Sequence, residues 1–307
     1  MLLAIDIGNT NITLGLYSGE ELGPRWRIAT NHNRMPDEYG LQFLGLLTHA
    51  GLSPEALTGI CLASVVPPLT GKVVQACSSY LAQDPLVVDA GVKTGVRIRY
   101  EEPRAVGADR IADAAAVQRL YGGPACVVDF GTGTTFDAIS TEGDYLGGAI
   151  APGIDVAAES LFLRTAKLPR VDIQSPPNVI GRNTTHAMQS GLVYGYVGLV
   201  EGMVARYRQE LGPDMKVIAT GGLADIIAKE TEVLEIIAPW LTLDGLPWQI
   251  VVVDSPAFAD LLRLFLIDFS ADLPPISRGF LGWGLIVQAA WHCLGAPKKT
   301  RSQTSGR

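Results

Sequence analysis

The chain has 307 residues, 48% of them hydrophobic, enough to bury a sizeable core and to form two domains, which excludes a disordered protein. Its formal net charge of −7, with no basic block before the last ten residues, argues against nucleic acid as the main partner. Four cysteines, Cys61, Cys77, Cys126 and Cys293, have no CxxC spacing and do not cluster with the four histidines, so they read as free thiols of a reducing compartment rather than as a metal site. Met1 runs straight into a strand pattern without a basic leader, and the chain is expected to be cytoplasmic.

Residues 2–7, 11–18 and about 21–29 alternate as three strands, joined by the polar turn at Asn9-Thr10 and by Ser18-Gly19-Glu20. Pro36-Asp37-Glu38 opens a helix to about His49. A buried strand, Gly59–Val66, is expected to close at Pro67-Pro68, with a helix over Leu69–Ala82 and a strand over Leu86–Asp89. Gly107-Ala108-Asp109-Arg110 precedes an apolar helical pattern that Gly122-Gly123-Pro124 terminates. The order then repeats: strands 125–129, 135–140 and 145–151, a helix after Pro152-Gly153, a long helix from about Thr184 to Glu210, strand 216–219 and helix 223–229.

Each half carries an apolar strand that ends in Asp-x-Gly and a polar turn. Asp6-Ile7-Gly8-Asn9-Thr10 is one and Asp129-Phe130-Gly131-Thr132-Gly133-Thr134-Thr135 the other, with the two aspartates 123 positions apart. A meander followed by alternating helices and strands, twice over, fits two ribonuclease-H-like domains facing each other across a nucleotide cleft. The expected division is 1–117, 118–246 and an atypical extension, 247–307. That extension holds six Lys/Arg and four Asp but no Glu, whereas residues 1–246 hold 18 Lys/Arg and 27 Asp/Glu. Within it, Gly279–Ala296 has no charged residue, which leaves open an appendage, a shifted reading frame or a weak membrane contact; no spanning segment is expected.

Glycine turns let several backbone N–H groups face one phosphate, and Thr or Asn side chains add neutral donors. A carboxylate beside a phosphate repels it, and a cation between them removes the conflict. Asp6 and Asp129 therefore read as ligands, direct or through water, of cations that accompany a polyphosphate, which makes MgATP the natural ligand. A single Asp-x-Gly hairpin is explained as well by a turn; two at equivalent places are not. No GxxxxGK[ST] occurs, so a P-loop is excluded. Asp109 is the candidate catalytic base, taking a proton from a hydroxyl that attacks the γ-phosphate, with Arg110 neutralising an anionic group of the substrate. The alternative is a helix N-cap aspartate beside a solvated arginine. Ala219-Thr220-Gly221-Gly222 suits a nucleoside or phosphate, or a plain turn.

Together with Gly147-Gly148-Ala149-Ile150-Ala151-Pro152-Gly153, Asn183-Thr184 and Met188-Gln189-Ser190-Gly191, these motifs occur in the order seen in type III pantothenate kinases, and residues 1–246 resemble that family. The resemblance implies an actin-like fold of the acetate and sugar kinase/Hsc70/actin class, a homodimer, and ATP-dependent phosphorylation of pantothenate, the first step of coenzyme A biosynthesis. It implies Mg2+ and a monovalent cation, K+ or NH4+. It also implies that Tyr100, Gly107, Ala108, Asp109, Arg110 and Thr184 contact pantothenate and that Asp109 is the catalytic residue. Asp6, Ile7, Gly8, Asn9, Thr10, Asn11, Ile12, Thr13 and Thr132 are implied as ATP contacts, and Asp129 as the potassium ligand. Gly133 stands where the family usually has Ala, which loosens the second turn by up to about 1 kcal/mol without removing a donor. The family also resembles accessory factors of transcription, a non-catalytic alternative on the same fold.

Overall fold

The computed structural model describes residues 1–89 and 94–253, with side chains to 247; the extension expected over 247–307 lies outside the described residues from 254 onward.

Two five-stranded sheets share one layout. In the first, β1 (Leu2–Ile7), β2 (Asn11–Ser18) and β3 (Glu21–Ala29) form an antiparallel meander, and β4 (Gly59–Ser64) and β5 (Leu86–Val87) add in parallel on the other side of β1, giving the order β3-β2-β1-β4-β5. In the second, β6 (Ala125–Phe130), β7 (Gly133–Ile139) and β8 (Tyr145–Pro152) form the meander, and β9 (Lys216–Gly221) and β10 (Ile236–Ile237) are the parallel additions. Strand for strand the two sheets match, so the fold is a pair of ribonuclease-H-like domains. The central strands β1 and β6 are nearly continuous apolar runs because both faces are covered.

Helices α1 (Pro36–His49) and α2 (Pro67–Leu81) cover one face of the first sheet, and Tyr39, Phe43, Val73 and Cys77 pack there against Leu3, Ile5 and Leu62. The expectation that Pro67-Pro68 closes a strand is corrected: the prolines occupy the first positions of α2, where a missing N–H is harmless. Helix α3 (Ala108–Leu120) lies between the sheets, and its Ile111, Ala112, Ala115 and Ala116 join Ala4, Ala63, Val127 and Ile218 in a shared core. On the outer face of the second sheet lie α4 (Ile154–Arg164), the 28-residue α5 (Thr184–Leu211) and the short α6 (Ala224–Ala228).

A last helix, α7 (Leu241–Val253), packs on α3 so closely that a Cβ on Gly245 would lie 1.9 Å from the carbonyl oxygen of Ala112. The compositional break at Gly245-Leu246-Pro247 falls inside this helix. Among the described residues no helix is long and apolar enough to cross a membrane.

Candidate active site

The β1–β2 and β6–β7 hairpins meet at their tips. The Gly8 N–H donates to Asn11 O (2.9 Å) and the Gly131 N–H to Gly133 O (3.0 Å), closing two tight turns. Between them, the hydroxyls of Thr10 and Thr132 share a hydrogen bond of 2.9 Å across 122 positions of sequence. Neighbours brace each turn: the Thr30 hydroxyl donates to Gly8 O (2.7 Å), and the Gly153 N–H, at the start of α4, donates to Thr132 O (3.0 Å). Asn9, Thr10, Asn11 and Thr132 are exposed, while Ile7 and Ile12 point into the core. Of the expected nucleotide contacts, Ile7 and Ile12 therefore have only backbone groups to offer.

Behind the tips the carboxylates converge. Asp6 on β1 lies opposite Thr13 and Ala63, and Asp129 on β6 occupies the matching register opposite Thr135 and Thr220. Burial, then the negative charges of Asp109 and Asp129, push the Asp6 carboxyl up to about 8 against the pull of Arg27. Burial, then Asp109 and Asp137, push Asp129 up to about 7, with Arg110 opposing. These groups stay close to one another at an energetic penalty that a cation would remove. Among the described residues no three His, Cys, Asp or Glu side chains are grouped to hold a metal ion by themselves.

Asp109 sits in the first turn of α3, whose N-cap is Gly107. Its Oδ1 accepts the Arg110 backbone N–H at 2.8 Å, and a Cβ on Gly107 would lie 2.3 Å from that same oxygen. The glycine of Gly107-Ala108-Asp109-Arg110 thus makes room for the carboxylate, and Ala108 turns into the core. Gly221 does the same for Asp129: at φ +89°, a Cβ there would lie 2.4 Å from Oδ1. Burial raises Asp109 above the ordinary carboxylate range, while its hydrogen bond and the charge of Arg110 hold it back. A carboxyl so raised would suit proton transfer near neutral pH better than a free aspartate. The N-cap alternative does not describe this residue, and Arg110 is not solvated, its side chain being only 18% exposed and paired with Asp137.

Tyr100 lies beside Arg110 through an intermediary. Its ring packs on Tyr145 (centroids 6.4 Å apart, 57° between planes), and Tyr145 donates to Asp137. Sequence reasoning gave Asp137 and Tyr145 no role, although a carboxylate inside the apolar run of β7 had to find a partner. Asp113, one turn after Asp109, is a second omission: it is 2% exposed, and its Oδ1 has no hydrogen-bond partner. Thr184 lies apart, at the start of α5, in a groove of about 570 Å3 lined by Ala157, Leu161, Leu168, Met188 and Tyr196. Farther along α5, Gln189 donates to Asp172 O (3.1 Å) and Ser190 to Val179 O, pinning the irregular segment 165–183.

A family model described as type III pantothenate kinase matches residues 2–206. The chain belongs to the type III pantothenate kinase family. Type III pantothenate kinases from Moorella thermoacetica and Roseiflexus castenholzii are 53% and 51% identical to it over 246 residues, which is 80% of this chain and 97% and 96% of theirs. Among solved structures, a Campylobacter jejuni protein described as a Baf-family transcriptional activator is similar at TM-score 0.53 with 20% identity, covering 81% of this chain and 96% of that one, a likeness of fold.

Proposed function

We propose that this chain transfers the γ-phosphoryl group of ATP to the hydroxyl of pantothenate, giving 4′-phosphopantothenate, the first step of coenzyme A biosynthesis. The observation that carries this is the setting of Asp109 and Arg110: a buried base and a cation, adjacent in sequence, behind two phosphate-type turns joined at Thr10 and Thr132. The turn amides and the two threonine hydroxyls orient the phosphates, and Arg110 receives the pantothenate carboxylate, with Tyr100 alongside. Asp109 accepts the hydroxyl proton as the new O–P bond forms; the bond to the β-phosphate oxygen breaks, and ADP leaves with the electron pair. Most of the acceleration comes from positioning and charge neutralisation.

Asp6 would hold the Mg2+ that accompanies ATP, and Asp129 a monovalent cation, K+ or NH4+. The support is the charge around the donor set: beyond burial, Asp109 and Asp129 raise Asp6, and Asp109 and Asp137 raise Asp129. A bound cation would neutralise the phosphate oxygens and the two carboxylates together.

Residues 1–117 and 118–246 are proposed as the two lobes of the kinase. A homodimer is proposed through the face around α4 and α5, where Leu163, Val179 and Ile180 are 64%, 64% and 81% exposed. Action in the cytoplasm fits a metabolic kinase. The test is ADP release by the full chain with and without pantothenate. Turnover with a sugar or acetate but not with pantothenate would contradict the assignment.

A further inference from the structure

Arg110 is held from behind. Its Nε lies 3.6 Å from Oδ1 of Asp137, a carboxylate on β7 that is 1% exposed. Tyr145, on β8 and fully buried, donates its hydroxyl to that Oδ1 at 2.8 Å, and Thr135 donates to Oδ2 at 2.8 Å. Both oxygens are therefore fixed by neighbours on the same sheet, and the carboxylate cannot turn without losing a bond. Asp137, Asp109 and Asp129 are the carboxylates coupled to Arg110, and the Tyr145 hydroxyl is a further hydrogen-bond partner of its side chain. A guanidinium without its Asp137 contact would be drawn toward the other carboxylates, Asp129 and above all Asp109, one residue away and needed for proton transfer.

We propose that Asp137, locked by Thr135 and Tyr145, is a positioning residue for the anionic end of the substrate. It engages Arg110 through Nε, so that the terminal guanidinium nitrogens are presented to the substrate carboxylate and kept off Asp109. A planar fork held at one edge loses little freedom on gripping a carboxylate with the other. The Tyr145 ring, against which Tyr100 packs, ties the clamp to a second aromatic side chain. This inference rests on the reading of Arg110 as the carboxylate-binding group.

The experiment is steady-state kinetics of full-length Asp137→Asn and Tyr145→Phe with two substrates: pantothenate, and pantothenyl alcohol, which keeps the reacting hydroxyl but has a neutral end. For Asp137→Asn the expected result is a rise of roughly 10- to 100-fold in KM for pantothenate, with kcat and KM for ATP within about threefold and KM for the alcohol unchanged. Tyr145→Phe, which keeps the ring, should shift KM for pantothenate the same way by a smaller factor, and it decides the matter if the Asn variant does not fold. An unchanged KM for pantothenate in the folded variants, or an equal rise for both substrates, would overturn the proposal. Arg110→Gln separates the two layers: if it leaves KM for pantothenate unchanged, the reading of Arg110 has failed; if it raises KM while the Asp137 and Tyr145 variants do not, the positioning role alone has failed.

Discussion

The crowding of carboxylates in the cleft predicts how stability varies with pH in the absence of cations. Asp129 is raised from an ordinary 3.8 to about 7, so between those values the folded chain binds more protons than the unfolded one. Stability is then greatest at low pH and falls as pH rises through 7. At ~1.4 kcal/mol per pH unit, the penalty of the ionised Asp129 is on the order of 4 kcal/mol above pH 7. For a chain of this size that amounts to roughly 8–16 °C in melting temperature. Replacing Asp129 with Asn removes the titration, so the variant melting curve, measured by calorimetry in a chelating buffer low in K+ and NH4+, should gain on the wild type as pH goes from 5 to 8, by about 5–10 °C at the upper end. Adding Mg2+, K+ and a non-hydrolysable ATP analogue should recover more stability for the wild type at pH 8 than at pH 5. A difference between wild type and variant that does not change with pH would refute the reasoning, because Asp129 would then be an ordinary, solvated carboxylate.

Other predictions follow from single contacts. Thr132→Val removes the hydroxyl that meets Thr10, and the loss of about 1 kcal/mol should raise KM for ATP roughly fivefold while leaving KM for pantothenate unchanged. Gly221→Ala forces a Cβ to within 2.4 Å of Asp129 Oδ1 at a positive φ, which should destabilise the chain by about 1–3 kcal/mol and weaken the dependence of activity on K+, measured by titration of the salt. Asp113 is held well above the ordinary carboxylate range by burial and by Asp129 and Asp109. Asp113→Asn should then gain on wild type in melting temperature as pH rises from 4.5 to 8; a pH-independent change would contradict a carboxyl raised by burial and its neighbours.

Much of this site was legible because its motifs are local. Asp6, Gly8, Asp129 and Gly131 announce themselves by strand, carboxylate and turn in a few consecutive residues, and the repeat of that outline implied the duplication that the matching sheets display. Asp109 and Arg110 stood out for the same reason. What the sequence hid depends on contacts between distant residues. Asp137 meets Arg110 and Tyr145 only once β7, β8 and α3 are assembled, and the Thr10–Thr132 bridge exists only because the lobes close on each other. β10 went unseen because two residues, Ile236 and Ile237, carry no period. α7 blurred the end of the second lobe: its composition changes at Gly245-Leu246-Pro247, yet Leu241, Leu243 and Leu246 are anchored in the core shared with α3.

The central claim is that Asp109, seated between the two hairpins, takes the proton of the pantothenate hydroxyl. Its most direct test is pantothenate-dependent ADP release by wild type and Asp109→Asn, with ATP binding measured alongside by calorimetry. The account predicts turnover by the wild type, rising with pH as Asp109 ionises, and a loss of at least ~100-fold in kcat for the variant with ATP affinity within a few fold. Turnover by Asp109→Asn at the wild-type rate would contradict it.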